Sequence, residues 1–293
     1  IVLRVGVAHL GEFGSRERIA HAKSEIVQGL LPGGTAVLNA DDDYVVPMAQ
    51  LASGDVLWFG QGHTRDSEVH ADHIAADAAD HAEFTMTDAH GERVAVHLGI
   101  PGRHNVMNAL AAATVALRYG MPLTAIAQTL AAQHTISPHR MALSTVSRQG
   151  ASFELIDDSF NANPDSMKAG LDGLRAWNAN DGRQPFRVAL LGAMLELGAD
   201  ERELHASVGE YAAGLGLDAI ITVGSPSDEH LNVLAESLAE GATRGRAASV
   251  DCVQTLDEAE RIVLDLAKNH TDTVVLLKGS HASGLSALAE RWA

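Results

Sequence analysis

The second half of the chain alternates two hydrophobic periods, and this rhythm constrains the fold more than any other feature. Short apolar runs that read as strands recur at Ser152–Asp157, Phe186–Leu191, Ala219–Val223, Ala247–Val253 and Thr273–Lys278. Between and after them, Pro164–Trp177, Glu201–Leu215, Asp228–Ala239, Leu256–Lys268 and Leu285–Trp292 carry helical spacing. Strands separated by helices join by right-handed crossovers into a mostly parallel sheet, giving the α/β class. Such sheets bind ligands beyond the carboxyl ends of their strands. The polar residues after each strand are therefore the ones to read: Asp157–Asn163, Gly192–Glu196, Gly224–Ser227 and Gly279–Ser283.

The first half has a related rhythm. Ile1–Val7, Thr35–Asn39 and Val56–Gly60 read as strands, and Ser15–Leu31 and Asp42–Ala52 as helices. Ser15 can cap its helix, and Pro32-Gly33-Gly34 stops it. Glu83–Thr87 and Arg93–Leu98 alternate around an Asp88–Gly91 turn, an antiparallel hairpin appended to the α/β core. Helices follow at Asn105–Tyr119 and Leu123–Gln133. The pattern divides near residue 137, giving domains over 1–136 and 137–293. A buried strand at residue 1, with no Met before it, suggests the C-terminal part of a longer protein.

The formal charge is −17, from 21 basic and 38 acidic residues. This argues against a nucleic-acid surface, which needs basic side chains to meet phosphates. A small anionic ligand remains compatible, because amides, a few cations or a bound metal can neutralise phosphate locally. No apolar run reaches the roughly 18 residues of a membrane span. The single cysteine, Cys252, excludes an internal disulfide and fits a reducing cytoplasm.

The chain contains no Gly-Lys pair, hence no Walker A loop, and neither a strand–GxGxxG–helix nor an HExxH motif. Several other segments gather chemistry-bearing residues. His9 falls at the end of the first strand, where a packing histidine is equally expected, and Lys23 falls in the next helix, where a solvated lysine is the ordinary reading. Asn39 and Asp41 in LNADDD suit helix capping. In GIPGRHNVMNALAAA a Pro-Gly turn delivers Asn105 to a helix start, with Asn108 on its first turn; amides there suit purine edges, or simply a cap. Arg140 in SPHRM is placed either for phosphate or for a hinge salt bridge. In IDDSFNANPDSM, Asp157 and Asp158 repel unless a metal, a ribose or a cation partners them. Asn163 caps the helix that Pro164 begins, which leaves Asp158, Asn161 and Asp165 without a structural explanation. Lys278-Gly279-Ser280 ends the last strand, where Ser280 can cap the final helix or hold an anion such as a carboxylate.

Together the segments AHLGEFGSRE, AKSEI, LNADD, GRHNVMNALAAA, HRM, IDDSFNANPDSM, LGAMLELG and LLKGS resemble the Mur ligases, in family order from residue 8 to residue 280. Within that family DDSFNANPDSM is most similar to the branch that joins D-alanyl-D-alanine to UDP-MurNAc-tripeptide in peptidoglycan synthesis. The resemblance implies the second half of a central ATPase domain followed by a Rossmann-like C-terminal domain. It implies a cytoplasmic, monomeric ATP- and Mg2+-dependent ligase, with UDP-MurNAc-tripeptide and D-alanyl-D-alanine as partners and neither nucleic acid nor membrane insertion. His9 and a carbamylated Lys23 would hold magnesium, and Asn105 and Asn108 would face adenine. Arg140 and Asp158 would reach ATP from the two sides of a cleft. Asn161, Asn163, Lys278 and Ser280 would lie near the peptide substrates. The catalytic set would be Lys23, His9 and Arg140. Three positions depart from the family pattern: Ala193 stands for Asp, Phe160 for Tyr and His281 for Arg.

Because the glycine-lysine loop is missing, these 293 residues alone are expected to be inactive and to leave Lys23 unmodified. Two other readings stay open: a non-catalytic nucleotide- or peptide-binding module of the same fold, and a sibling or folylpolyglutamate-type ligase that adds an amino acid.

Overall fold

A computed structural model describes residues 1–6, 13–61, 67–134, 137–178 and 184–293. The chain forms two compact units, Ile1–His134 and Thr135–Ala293.

In the first unit, β1 (Thr35–Asn39), β2 (Asp55–Gly60), β3 (Val69–Ala76), β4 (His81–Asp88) and β5 (Arg93–Pro101) lie in sequence order in one sheet. The β1–β2 and β2–β3 pairs are parallel; β3–β4 and β4–β5 are antiparallel. The expected hairpin is thus continuous with the parallel strands. Alternation along β1 sends Val37 to one face, with α2 (Asn105–Arg118) and α3 (Leu123–Ala132), and Ala36 and Leu38 to the other, with α1 (Arg16–Gln28).

Two expectations fail here. Ile1–Val7 is not a strand: among the described residues it makes a single parallel bridge, Val2 to Leu38. The Asp42 side chain takes the Val5 amide at 2.9 Å, and Asn39 Nδ2 donates to the Leu3 carbonyl at 2.8 Å. The same Asp42 accepts from the amides of Tyr44 and Val45, and where Asp42–Ala52 was expected as a helix, the chain forms a 3₁₀ helix over Val46–Leu51 with Pro47 in its first turn. Val7 lies outside the described residues.

In the second unit, β6 (Ala142–Arg148), β7 (Ala151–Asp158), β8 (Phe186–Leu191), β9 (Ala219–Val223), β10 (Val250–Val253) and β11 (Thr273–Lys278) form a sheet ordered β10-β9-β8-β11-β7-β6. Every pair is parallel except β6–β7. One face carries Ala189, Leu191, Ile220, Val274 and Leu276 against α4 (Pro164–Ala176), α5 (Glu201–Gly214) and α6 (Glu229–Arg244). The other carries Val188, Leu190, Ile221, Val275 and Leu277 against α7 (Leu256–Asn269) and α8 (Leu285–Trp292). Strands covered on both faces are apolar throughout, as parallel sheets require. Helices α5 and α6 approach so closely that a Cβ on Gly241 would lie 1.9 Å from the Ala206 carbonyl oxygen. Cys252 is exposed on the edge strand β10.

Candidate active site at the carboxyl ends of the second sheet

Strands β7 and β11 are neighbours, and their register pairs Asp158 with Lys278 at the carboxyl ends. The two side chains form a salt bridge. The Lys278 ammonium is buried, and its stem runs beneath α4, where a Cβ on Gly170 would come within 2.8 Å of Lys278 Cδ. The adjacent acid has different partners. Asp157 accepts from the Ser159 hydroxyl at 2.6 Å and faces His139 Nδ1 at 2.8 Å. Successive strand residues point to opposite faces, so the two carboxylates do not share one environment. Of the partners left open for these acids, Asp158 has a cation, Lys278, a residue expected near the peptide substrates.

Arg140 projects beside this edge. It stands between His139 (φ 58°) and Met141 (φ 50°), both in the left-handed region. The Phe160 amide donates to the His139 carbonyl at 3.1 Å, and the Arg140 guanidinium lies 4.5 Å from the centre of the Phe160 ring. Loss of a phenol at this position therefore leaves the stacking surface intact. Arg140 and Asp158 were expected from opposite sides of a cleft; they belong to the same unit.

Asn163 has a structural task. It caps α4 by accepting from the Ser166 amide at 3.0 Å, and Ser166 Oγ accepts from the Asn163 amide in return. Asn161 is exposed.

Ser280 does not cap the final helix, one of the two roles open to it. It precedes a 3₁₀ turn, His281–Ser283, and Gly284 at φ 76° begins α8. Its amide donates to the Ala193 carbonyl at 2.9 Å, which removes one donor from the expected anion site. Its hydroxyl is buried and makes no hydrogen bond among the described residues. Ala193 packs with Leu231 and Leu234, fully buried; a carboxylate there would be desolvated without a partner. The backbone of Ala193, not its side chain, thus holds the β11 loop.

His205 was not anticipated. It is fully buried on α5, its Nε2 accepts from the Met194 amide at 2.9 Å, and its Nδ1 donates to the Glu201 carbonyl at 2.6 Å. Burial lowers its pKa to about 4, outweighing the opposing Glu201 hydrogen bond, so it is a neutral brace for the Gly192–Gly198 loop. A histidine at the fifth position of an amphipathic helix gives no sequence signal for this task.

The first unit holds the other expected residues. His9 lies outside the described residues. Lys23 is exposed on α1, and no group of three imidazole or carboxylate ligands gathers around it among the described residues. An unmodified ammonium cannot itself ligate a cation, and the other expected ligand, His9, is outside the described residues. At the start of α2, buried Asn105 donates to the Pro101 carbonyl at 2.8 Å and accepts from Asn108 Nδ2 at 2.9 Å. Asn105 thus orients Asn108, whose amide is exposed.

The Mur ligase middle domain matches residues 1–116, and the Mur ligase glutamate ligase domain matches residues 139–281. The chain belongs to the Mur ligase family. This Mur ligase chain is 40% identical over 296 residues to the UDP-N-acetylmuramoyl-tripeptide–D-alanyl-D-alanine ligase of Mycobacterium tuberculosis, covering 99% of the chain and 57% of that protein. It is 34% identical to the enzyme of the same name from Escherichia coli K12, over 78% of the chain and 48% of the relative. The crystal structure of MurF from Acinetobacter baumannii superposes with a TM-score of 0.79 at 31% identity, covering 99% of the chain and 58% of that structure. A MurF ligase from Thermotoga maritima in complex with ADP shares the fold, with a TM-score of 0.75 at 23% identity, over 98% of the chain and 60% of that structure. The Mur ligase chain thus spans about half the length of the relatives it matches.

Proposed function

We propose that the chain is the nucleotide- and amine-handling part of an ATP-dependent ligase that joins D-alanyl-D-alanine to UDP-MurNAc-tripeptide. The observation that carries this reading is the 40% identity to the Mycobacterium tuberculosis ligase, sustained over 99% of the chain. The whole protein works in the cytoplasm as a monomer. ATP phosphorylates the terminal carboxylate of the tripeptide; the free amine of the dipeptide then attacks the acyl phosphate, and phosphate leaves.

The residues suit parts of this chemistry. Asn108 carries the adenine contact, because Asn105 spends its amide on Pro101 and on Asn108 itself. Arg140, fixed between two left-handed residues and stacked on Phe160, offers a pre-oriented guanidinium to phosphate. Exposed Asn161 contacts the peptide substrates, while Lys278, Asp158, Asn163 and Ser280 shape the edge. Magnesium falls to His9 and Lys23. No step is assigned to it, since the described surroundings of Lys23 do not gather ligands.

The product of the complete reading frame that encodes this chain tests the proposal. Phosphate release and product mass are measured with UDP-MurNAc-tripeptide and a panel of amines. Turnover with D-alanyl-D-alanine supports it; turnover only with free amino acids rejects it. The 293 residues alone are proposed to be inactive for want of a Walker A loop, and ligation by them would refute that part.

A further inference from the structure

On the β3–β4–β5 sheet of the first unit lies a polar cluster that the ligase reading does not use. Asp77, His81 and His97 each present one ligand atom, and these atoms lie within 4.8 Å of one another. The sequence builds the cluster in three moves. Asp77 opens the turn between β3 and β4, and its Oδ1 accepts from the amides of Ala79 at 2.8 Å and His81 at 2.9 Å. That fixes the carboxylate and aims Oδ2 at His81 Nδ1, 3.1 Å away. His97 then arrives on β5, opposite Glu83 in the register, with its Nε2 3.7 Å from the same Oδ2. The β4–β5 register shifts between His81 and Glu83, next to this group.

We propose that Asp77 Oδ2, His81 Nδ1 and His97 Nε2 bind a divalent transition-metal cation of the zinc class. Tetrahedral ligands at about 2.0–2.2 Å from zinc lie about 3.3–3.6 Å from each other, close to the two spacings from Asp77 Oδ2. Two imidazoles and one carboxylate favour zinc, nickel or copper over magnesium or calcium, which select oxygen. The geometry also includes the support that such sites require. The other nitrogen of His97, Nδ1, faces Glu83 Oε1 at 3.0 Å, a carboxylate–histidine pair that fixes the ring and directs Nε2 to the cluster. Imidazole and carboxylate are between one fifth and one half exposed, so an ion can enter and a water can complete the shell.

The position suggests a clamp. Asp80, in the same turn, accepts the Gly102 amide at 2.8 Å, and the Gly102 carbonyl accepts from Asn105. An ion would therefore pin the turn to the strand that leads into α2.

The test is equilibrium binding of Zn2+ to the 293-residue chain, with Co2+ as an optical substitute and Mg2+ as competitor. One ion per chain is expected, retained in hundredfold excess of Mg2+. His81→Ala and His97→Ala should each weaken it at least tenfold, and Glu83→Gln about tenfold through the ring orientation alone. Zinc-edge X-ray absorption on the unaltered chain should show two imidazole ligands, a readout that does not depend on how the variants fold. Absence of stoichiometric uptake, displacement by Mg2+, unchanged binding in the double histidine variant, or fewer than two imidazoles would each overturn the site.

Discussion

Lys278 and Asp158 face each other as register partners on β11 and β7, a buried ammonium against a partly exposed carboxylate. The two positions are 120 residues apart in the chain. The pairing fixes the ends of two adjacent central strands, and it makes the two partners unequal.

Removing the carboxylate is the more damaging change, because it leaves a buried cation unpaired. Asp158→Asn should lower the unfolding free energy by about 3 kcal/mol or more, and Lys278→Met by less. The double variant should recover part of the loss. Urea denaturation of the three proteins measures this; equal effects of the two single changes would show that burial of the lysine does not matter.

The neutral state of His205 gives stability a defined pH dependence. Its folded pKa is about 4, against 6.5 for the ordinary group. Above pH 6.5 the stabilisation is complete. As pH falls from 6.5 to 4 the unfolded chain takes up a proton that the folded chain refuses, and about 3 kcal/mol is lost. Below about 4 both forms hold the proton and the loss is finished. His205→Gln keeps an acceptor for the Met194 amide but does not titrate. Its stability should therefore fall less than that of the parent between pH 7 and pH 4.5 in urea melts.

Asn163 and Asn161 separate a structural amide from an exposed one. Asn163→Ala removes a capping box and should cost about 1 kcal/mol. Asn161→Ala should change stability little, since the side chain is exposed and accepts only from the Ala162 amide among the described residues. In the complete ligase it should instead raise the KM for the amine substrate.

Gly241 lies inside α6, where alanine ordinarily stabilises a helix by about 1 kcal/mol. Here the added Cβ would meet the Ala206 carbonyl oxygen at 1.9 Å. Gly241→Ala should therefore destabilise by about 1–3 kcal/mol, the cost of overpacking that α5 must relieve by shifting. A gain in melting temperature would contradict the close approach.

Much of the second sheet was legible because its central strands are buried on both faces. Phe186–Leu191, Ala219–Val223 and Thr273–Lys278 were read to the residue. Strand β6 went unread because it is an edge: most of Ala142–Arg148 is exposed and its polar residues carry no alternation strong enough to see. Helix α6 runs to Arg244 rather than Ala239 because Gly241, a helix breaker in isolation, is what the contact with α5 requires. At the site, the crowded acids of IDDSFNANPDSM announced a need for a partner, whether metal, ribose or cation. They could not say that Lys278 supplies it, since strand order alone brings the two together. The Ile1–Val7 reading failed because Asp42 and Asn39 side chains compete for backbone groups that a strand would use.

The lone exposed thiol on β10 has a practical use. In the order β10-β9-β8-β11-β7 it stands three strands from β11, about 14 Å across the sheet at the usual strand spacing. A spin label or fluorophore attached to Cys252 would therefore report from the edge of this sheet while leaving Lys278 and Asp158 untouched. Without any engineered cysteine, the protein already carries a unique attachment point for distance measurements in solution.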